Sequence, residues 1–160
     1  MVLNSQDIVY IGSFYTQVNL GGGNIVYGPA GGQYGQSLFI TRLTNNATFV
    51  WGKMAGGQSY TSIRSDNSIG VDQNDNIYFT GGIGINFGLT VYFDAIPFTQ
   101  PGDFEAGSNV YFVKYSSAGN AQWVKRLVGM NSASSSDVAI DNLGNPILCG
   151  YFNSGLYFDG

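Results

Sequence analysis

Histidine is absent from these 160 residues, and glutamate occurs once, at Glu105. Without histidine there is no His-based catalytic triad and no His-ligated zinc or iron site. A single cysteine, Cys149, excludes an intrachain disulfide and assigns no redox compartment. Lying in an apolar stretch, it reads as a buried, inert thiol. The six basic residues, Arg42, Lys53, Arg64, Lys114, Lys125 and Arg126, are scattered and outnumbered by ten acidic ones. They cannot form the basic stripe of a nucleic-acid binder. No apolar run approaches the roughly 18 residues of a membrane span, so none is expected. The start, MVLNSQDIV, shows no basic segment followed by an apolar one, so no signal peptide is visible.

What is abundant points one way. Aromatics make up 15% of the chain, glycine occurs 24 times, and charged residues make up only 10%. That balance suits an all-β globular protein and is the reverse of a disordered one. A chain of this length can enclose a real core.

The pattern centres on Ser68–Gly81, SIGVDQNDNIYFTG, which reads as strand, polar turn and strand. A second copy runs from Asp137 to Gly150, DVAIDNLGNPILCG, and the end of a third lies at Val2–Gly12. The closing glycines Gly12, Gly81 and Gly150 fall at a constant interval of 69 residues. Such an interval signals a repeat architecture. Between these copies, LFITRL and FVWGK, at 38–43 and 49–53, match VYFVKY and AQWVKR, at 110–115 and 121–126. Here Arg42 aligns with Lys114, Trp51 with Trp123, Lys53 with Lys125 and Gly57 with Gly129, at an offset of 72. The slip from 69 and its later recovery are what loop-length variation produces. Short strands are expected around Val18–Leu20 and Ile25–Tyr27, joined by glycine turns. The C-terminal GLYFDG matches QVNLGG, placing Val18 on Leu156 and Gly22 on Gly160.

The chain thus divides into the end of a partial unit (1–12), two full repeats (13–81 and 82–150) and the start of another (151–160). Each repeat supplies about four strands and no helical period, which points to β-propeller blades, each a four-stranded antiparallel sheet. Propellers typically need 4–8 blades to close. Two blades and fractions would leave apolar faces and open edges. The expectation is therefore a piece of a longer propeller, with further blades of the same chain or of other copies as partners.

Asp72 and Asp141 open the two turns, where a carboxylate accepts backbone N–H bonds and a later Gly or Asn takes positive φ. Calcium is the rival reading, because alternating Asp and Asn resemble an oxygen-ligand loop. The second copy, however, has Leu143 and Gly144 in place of Asn74 and Asp75. The turn reading is preferred, and no cofactor is expected. Trp51 and Trp123 read as packing between blades, or as a stacking platform for sugars. The Gly-rich GPAGGQYGQS and GGIGINFG lack the spacing of phosphate and dinucleotide loops and read as turns. Asp103 and Glu105 form a carboxylate pair in an apparent loop, solvated in the simplest reading and glycosidase-like only with help from another blade.

The series G-S-F, V-N-L-G-G-G, L-F-I-T-R-L, W-G-K and G-V-D-Q-N-D-N-I-Y-F-T-G resembles the bacterial propeller repeats known as SBBP repeats. Val71-Asp72, Tyr78 to Gly81, Phe112-Val113-Lys114 and Trp123-Val124-Lys125 carry the likeness. Leu3, Pro146 and Gly35-Gln36-Ser37 depart from it. The resemblance implies a non-catalytic scaffold or protein-interaction module of a cell-surface, secreted or virion-associated protein. It implies no catalytic residues. A carbohydrate-binding lectin or adhesin is the first alternative and a propeller glycosidase the second.

Overall fold

A computed structural model describes residues 2–3, 7–28, 36–57, 62–63, 68–84, 90–99, 109–129, 132–153 and 155–159. Among them the chain is all β, with sixteen strands and no helix. In order these are β1 (Val2–Leu3), β2 (Asp7–Phe14), β3 (Gln17–Asn19), β4 (Ile25–Tyr27), β5 (Ser37–Thr44), β6 (Phe49–Gly57), β7 (Ser62–Ile63) and β8 (Ile69–Val71). There follow β9 (Ile77–Gly84), β10 (Thr90–Phe93), β11 (Ile96–Thr99), β12 (Asn109–Tyr115), β13 (Ala121–Gly129), β14 (Ser132–Ile140), β15 (Pro146–Asn153) and β16 (Leu156–Asp159). The strands coincide with the runs rich in β-branched and aromatic residues, which fit a pleated, buried surface.

Two large antiparallel sheets form the body. Sheet 1 has the order β1-β2-β5-β6-β10-β11, and sheet 2 the order β16-β13-β12-β9-β7, with β8 also on β9. Each holds six strands rather than the four expected. Short edge pieces add to a central trio, which is β2-β5-β6 in sheet 1 and β9-β12-β13 in sheet 2. Two hairpins stand outside these sheets, β3-β4 and β14-β15.

Sheet membership runs across the repeat. The chain leaves β9 in sheet 2, returns to sheet 1 as β10-β11, and re-enters sheet 2 as β12. β10 lies against β6, with Phe93 opposite Ala55 and Val91 opposite Gly57. β16 does the same one repeat later: it follows β15 yet lies against β13, with Phe158 opposite Leu127. β10-β11 and β16 thus each belong to the sheet before that of the strand that precedes them in the chain.

The sheets share one core. Sheet 1 contributes Val9, Leu38, Ile40, Ala55, Val91, Phe93 and Phe98; sheet 2 contributes Ile69, Ile77, Phe79, Ile83, Tyr111, Val113 and Tyr115. The sheet-2 residues alternate along β9 and β12, so they occupy one face. The aromatic packing mixes edge-on, tilted and stacked pairs, the arrangements ring quadrupoles favour when stacking is offset: Phe79 meets Tyr111 at 6.1 Å and 78°, Phe93 meets Tyr111 at 5.2 Å and 48°, and Phe79 stacks on Tyr115 at 5.6 Å and 29°.

The opposite face of sheet 2, carrying Tyr78, Thr80, Val110 and Phe112, is also largely buried. It is covered by β14, which packs on β8, β9 and β12. Among the described residues the β14-β15 hairpin has no sheet beyond it. Ile147 and Tyr151 are exposed on its far face. Cys149 is exposed with them, which corrects the buried thiol expected from sequence. Its repeat equivalent, Thr80, is fully buried and donates to the Tyr111 carbonyl across the ladder at 2.7 Å. β15 has no counterpart of β12 beside it, so Cys149 meets solvent.

The repeat supplies an internal control on the value of burial. Phe93 is 0% exposed, whereas its counterpart Phe158 is 76% exposed. Phe93→Ala should cost about 3–5 kcal/mol in chemical denaturation. Phe158→Ala should stay within about 0.5 kcal/mol of the parent.

Candidate functional site

Four hairpin turns share one five-residue construction. Asp72, Asp141, Ser116 and Thr44 each stand at the first position. At each turn the first residue's N–H donates to the fifth residue's carbonyl, and the fourth residue's N–H donates back to the first carbonyl, at 2.8–3.0 Å. The fourth residue takes positive φ every time: Ala47 at 59°, Asp75 at 59°, Gly119 at 80° and Gly144 at 83°. Only glycine adopts this left-handed conformation without cost, and Asp tolerates it better than Ala.

Asp72 and Asp141 use their carboxylates identically. Asp72 Oδ1 accepts from the Asn74 and Asn76 amides at 2.8 and 2.9 Å, and Oδ2 accepts from Asn76 Nδ2 at 2.9 Å. Asp141 Oδ1 accepts from the Leu143 and Asn145 amides, both at 2.8 Å, and Oδ2 from Asn145 Nδ2 at 2.9 Å. Asp72 gains one more donor, the Tyr78 hydroxyl at 3.1 Å. Both carboxylates thus spend their lone pairs on their own turns. Among the described residues no group of three or more Cys, Asp or Glu side chains is gathered in a form that could hold a metal ion.

Burial alone would raise the Asp72 pKa, but the bonds from Asn76, Asn74 and Tyr78 outweigh it and hold it below 3.8. Asp141 is held below 3.8 chiefly by the Asn145 side chain and amide. Carboxylates depressed in the folded state contribute stability above the unfolded value, and that contribution is lost as pH falls through the folded one. Stability should therefore decline as pH is lowered from about 4.

The closing glycines stand where the next strand approaches. Gly12 lies opposite Phe39 and Gly81 opposite Tyr111, an equivalent pair one repeat on. A Cβ on Gly12 would sit 2.7 Å from the Phe39 ring. Gly150 lies opposite Ser135, beside a bulge, and a Cβ there would meet the Ser134 carbonyl oxygen at 2.5 Å. Gly12 and Gly150 are therefore packing positions.

Trp51 is fixed at the junction of the two sheets. It lies in β6 of sheet 1, yet its Nε1 donates to the Ser117 carbonyl, in the β12-β13 turn of sheet 2, at 3.1 Å. Arg42, opposite Trp51 in register, donates to the same carbonyl at 3.0 Å. The indole lies on Gly119, where a Cβ would be 2.7 Å from Trp51 Cδ2. Arg42 also pairs with Asp7 within sheet 1 and with Asp75 of sheet 2 at 3.3 Å. Two further bonds join the same sheets: the Ala121 amide donates to Asp94 at 2.8 Å, and Arg126 donates to the Thr99 carbonyl at 2.8 Å.

Trp123 occupies the matching place in sheet 2, in register with Lys114. Its ring meets Phe112 edge-on at 5.2 Å and Tyr78 at 6.1 Å. Lys114 Nζ stands 5.2 Å over the Tyr78 ring. The acids that hold Arg42 have changed, since Asp7 and Asp75 correspond to Asn76 and Gly144. An aromatic face takes their place beneath the cation.

Beside this aromatic cluster lies an apolar groove of about 210 Å³, between the outer face of sheet 2 and the β14-β15 hairpin. Val110, Leu127, Leu148, Phe152 and Phe158 line it, with Gly150. By the repeat alignment these correspond to Leu38, Ala55, Phe79, Ile83, Phe93 and Gly81. All but the glycine belong to the closed core between sheets 1 and 2. Sequence reasoning singled out Trp123 but missed this groove, whose members are 48 positions apart at the extremes.

Asp103 and Glu105 lie outside the described residues, as do residues 29–35 and 85–88 of the two Gly-rich segments. Deep in the core, burial raises the Tyr115 hydroxyl above its ordinary pKa, and the Asp94 charge adds to the rise. No protein-family model and no curated protein matches the chain.

Two substitutions test this reading. Asp72→Ala should destabilise by about 1–3 kcal/mol, because the part-buried Asn74 and Asn76 amides and the buried Tyr78 hydroxyl lose their acceptor. Asp72→Ser should cost less, since Ser116 serves the same turn position, and it should also flatten the acid limb of a pH–stability curve. Gly119→Ala should raise the free energy by about 1–3 kcal/mol through strain at positive φ and overpacking under Trp51. Its indole fluorescence should shift to the red as Trp51 is displaced.

Proposed function

We propose that the chain is a segment of a β-propeller that acts as a non-catalytic scaffold and protein-interaction module. One observation carries the reading: equivalent residues of successive repeats touch each other. Ser68 Oγ donates to Asp137 Oδ1 at 2.8 Å, and Gln73 Nε2 donates to the Asn142 carbonyl at 3.0 Å, both at the 69-residue interval. The Val138 amide in turn donates to Ser68 Oγ. β1, β8 and β14 are successive copies of one strand, and β1 packs on β8 as β8 packs on β14. Contact between like elements of successive units is what rotation about a common axis produces. Blades around a propeller axis meet in this way.

The scaffold reading draws further support from the candidate residues. Asp72 and Asp141 are engaged in turns, Gly12 and Gly150 in packing, and Trp51 in the sheet junction. The likeness to SBBP repeats agrees with this reading and is the sole ground for placing the protein on a cell surface, outside the cell or on a virion. The partners are further blades, and proteins that the completed assembly displays or binds.

Electron microscopy of the natural full-length polypeptide should show a ring of about 4–8 sheets; an open stack or a two-layer sandwich would overturn the proposal. A glycan array probed with the folded protein should show no binding that depends on Trp123. A reproducible glycan signal lost in a folded Trp123→Ala variant would move the assignment to a lectin.

A further inference from the structure

We infer that the outer face of sheet 2, centred on Trp123, Lys114 and the groove at Phe158, is the docking site for a β-hairpin of a further repeat in the same polypeptide, and that the hairpin has a glycine at the fourth position of its turn. The inference rests on the propeller reading above and goes further by naming the segment that binds and the side chains that hold it.

The junction of sheets 1 and 2 shows what such a face receives. Sheet 1 presents Trp51 and Arg42, and the β12-β13 hairpin brings the Ser117 carbonyl to both of them. Gly119 lets the turn lie flat under the indole, where a side chain would collide. Behind the turn, Tyr111, Val113 and Tyr115 of the same hairpin fill the layer against Leu38, Ala55 and Phe93.

Sheet 2 repeats every receiving element. Trp123 and Lys114 stand in register as Trp51 and Arg42 do. Val110, Leu127 and Phe158 replace Leu38, Ala55 and Phe93. The strand pairing beside the groove is also repeated, because β15 stands as β9 does and β16 as β10 does. Among the described residues β11 has no counterpart one repeat on, and neither has the β12-β13 hairpin. The place of the hairpin's counterpart is the apolar groove, and Phe158 is 76% exposed beside it. Trp123 Nε1 has no hydrogen-bond partner among the described residues, whereas Trp51 Nε1 is bonded. A tryptophan donor, a cation and an apolar slot thus lie on one face of sheet 2, with Trp123 and Lys114 toward the turn end and Val110 and Leu127 at the groove. Their chemistry suits a backbone carbonyl at the turn and alternating apolar and aromatic side chains along the strand, the pattern of Asn109–Tyr115. The other apolar partners that such a surface could attract would satisfy the slot but not the indole N–H.

The test uses the intact 160-residue protein labelled with ¹⁵N, whose two tryptophans give two indole N–H signals. It is titrated with an unlabelled, backbone-cyclised peptide of residues 109–129, which holds the hairpin closed. The Trp123 signal, assigned with a Trp123→Phe variant, should shift saturably and exchange with solvent at least about tenfold more slowly, while the Trp51 signal stays in place. The same peptide with Gly119→Val should bind at least about tenfold more weakly. No shift at millimolar peptide, or equal binding by the two peptides, would overturn the inference. A Trp123 shift that follows protein concentration without peptide would also overturn it, by making a second copy the occupant. Failure here alongside a ring in electron microscopy would leave the propeller standing and remove only this docking mode.

Discussion

A sheet that is apolar on both faces has to be covered on both, and this constraint governs the whole chain. Sheet 2 illustrates it. One face carries Ile77, Phe79, Tyr111, Val113 and Tyr115, and the other carries Tyr78, Val110, Phe112 and Trp123. Burying one large apolar side chain stabilises by about 1.5–3 kcal/mol. Leaving either face open therefore forfeits several such contributions. The repeat answers the constraint by making each unit the cover of its neighbour. The exchanged strands make consecutive layers share chain, because β10-β11 and β16 each lie in the sheet before that of the strand that precedes them. Arg42, Asp94 and Arg126 add polar links at the same junction, and those links set register more than they add stability.

The repetition also explains why the residues that look functional in sequence are structural. A side-chain oxygen stands at the first position wherever the hairpin turn recurs, a carboxylate at Asp72 and Asp141 and a hydroxyl at Ser116 and Thr44. A repeated glycine is needed where a cross-strand ring or carbonyl closes in. A repeated tryptophan is needed where a turn docks. Trp51 has its turn. Trp123 presents the same donor on a face that the β14-β15 hairpin covers only in part.

Much of this was legible in the sequence. The 69-residue interval, the strand positions, the polar turns and the pairing of Trp51 with Trp123 all follow from local pattern, and local pattern is what strand and turn chemistry leave behind. The exchange of β10 between sheets was not legible. TVYF reads as a strand in any sheet, and its choice of β6 over β9 depends on contacts more than thirty residues away. Gly119 reads as an ordinary turn glycine, and only the indole lying on it reveals the second reason for its lack of a side chain. Cys149 misled because its alternating apolar neighbours promise burial, yet burial depends on a neighbouring strand that β15 does not have. Exposed and buried copies of one motif carry the same local signal.

Hydrogen exchange measured residue by residue tests the governing constraint most directly. If cover on both faces is what makes a sheet stable here, the amides of β9 and β12 should exchange only through global unfolding, at the slowest rates in the chain. Those of β14 and β15, covered on one face, should open locally and exchange at least roughly tenfold faster. Equal protection of β12 and β15 would contradict the account, because it would mean that a half-covered sheet stands as firmly as a fully covered one.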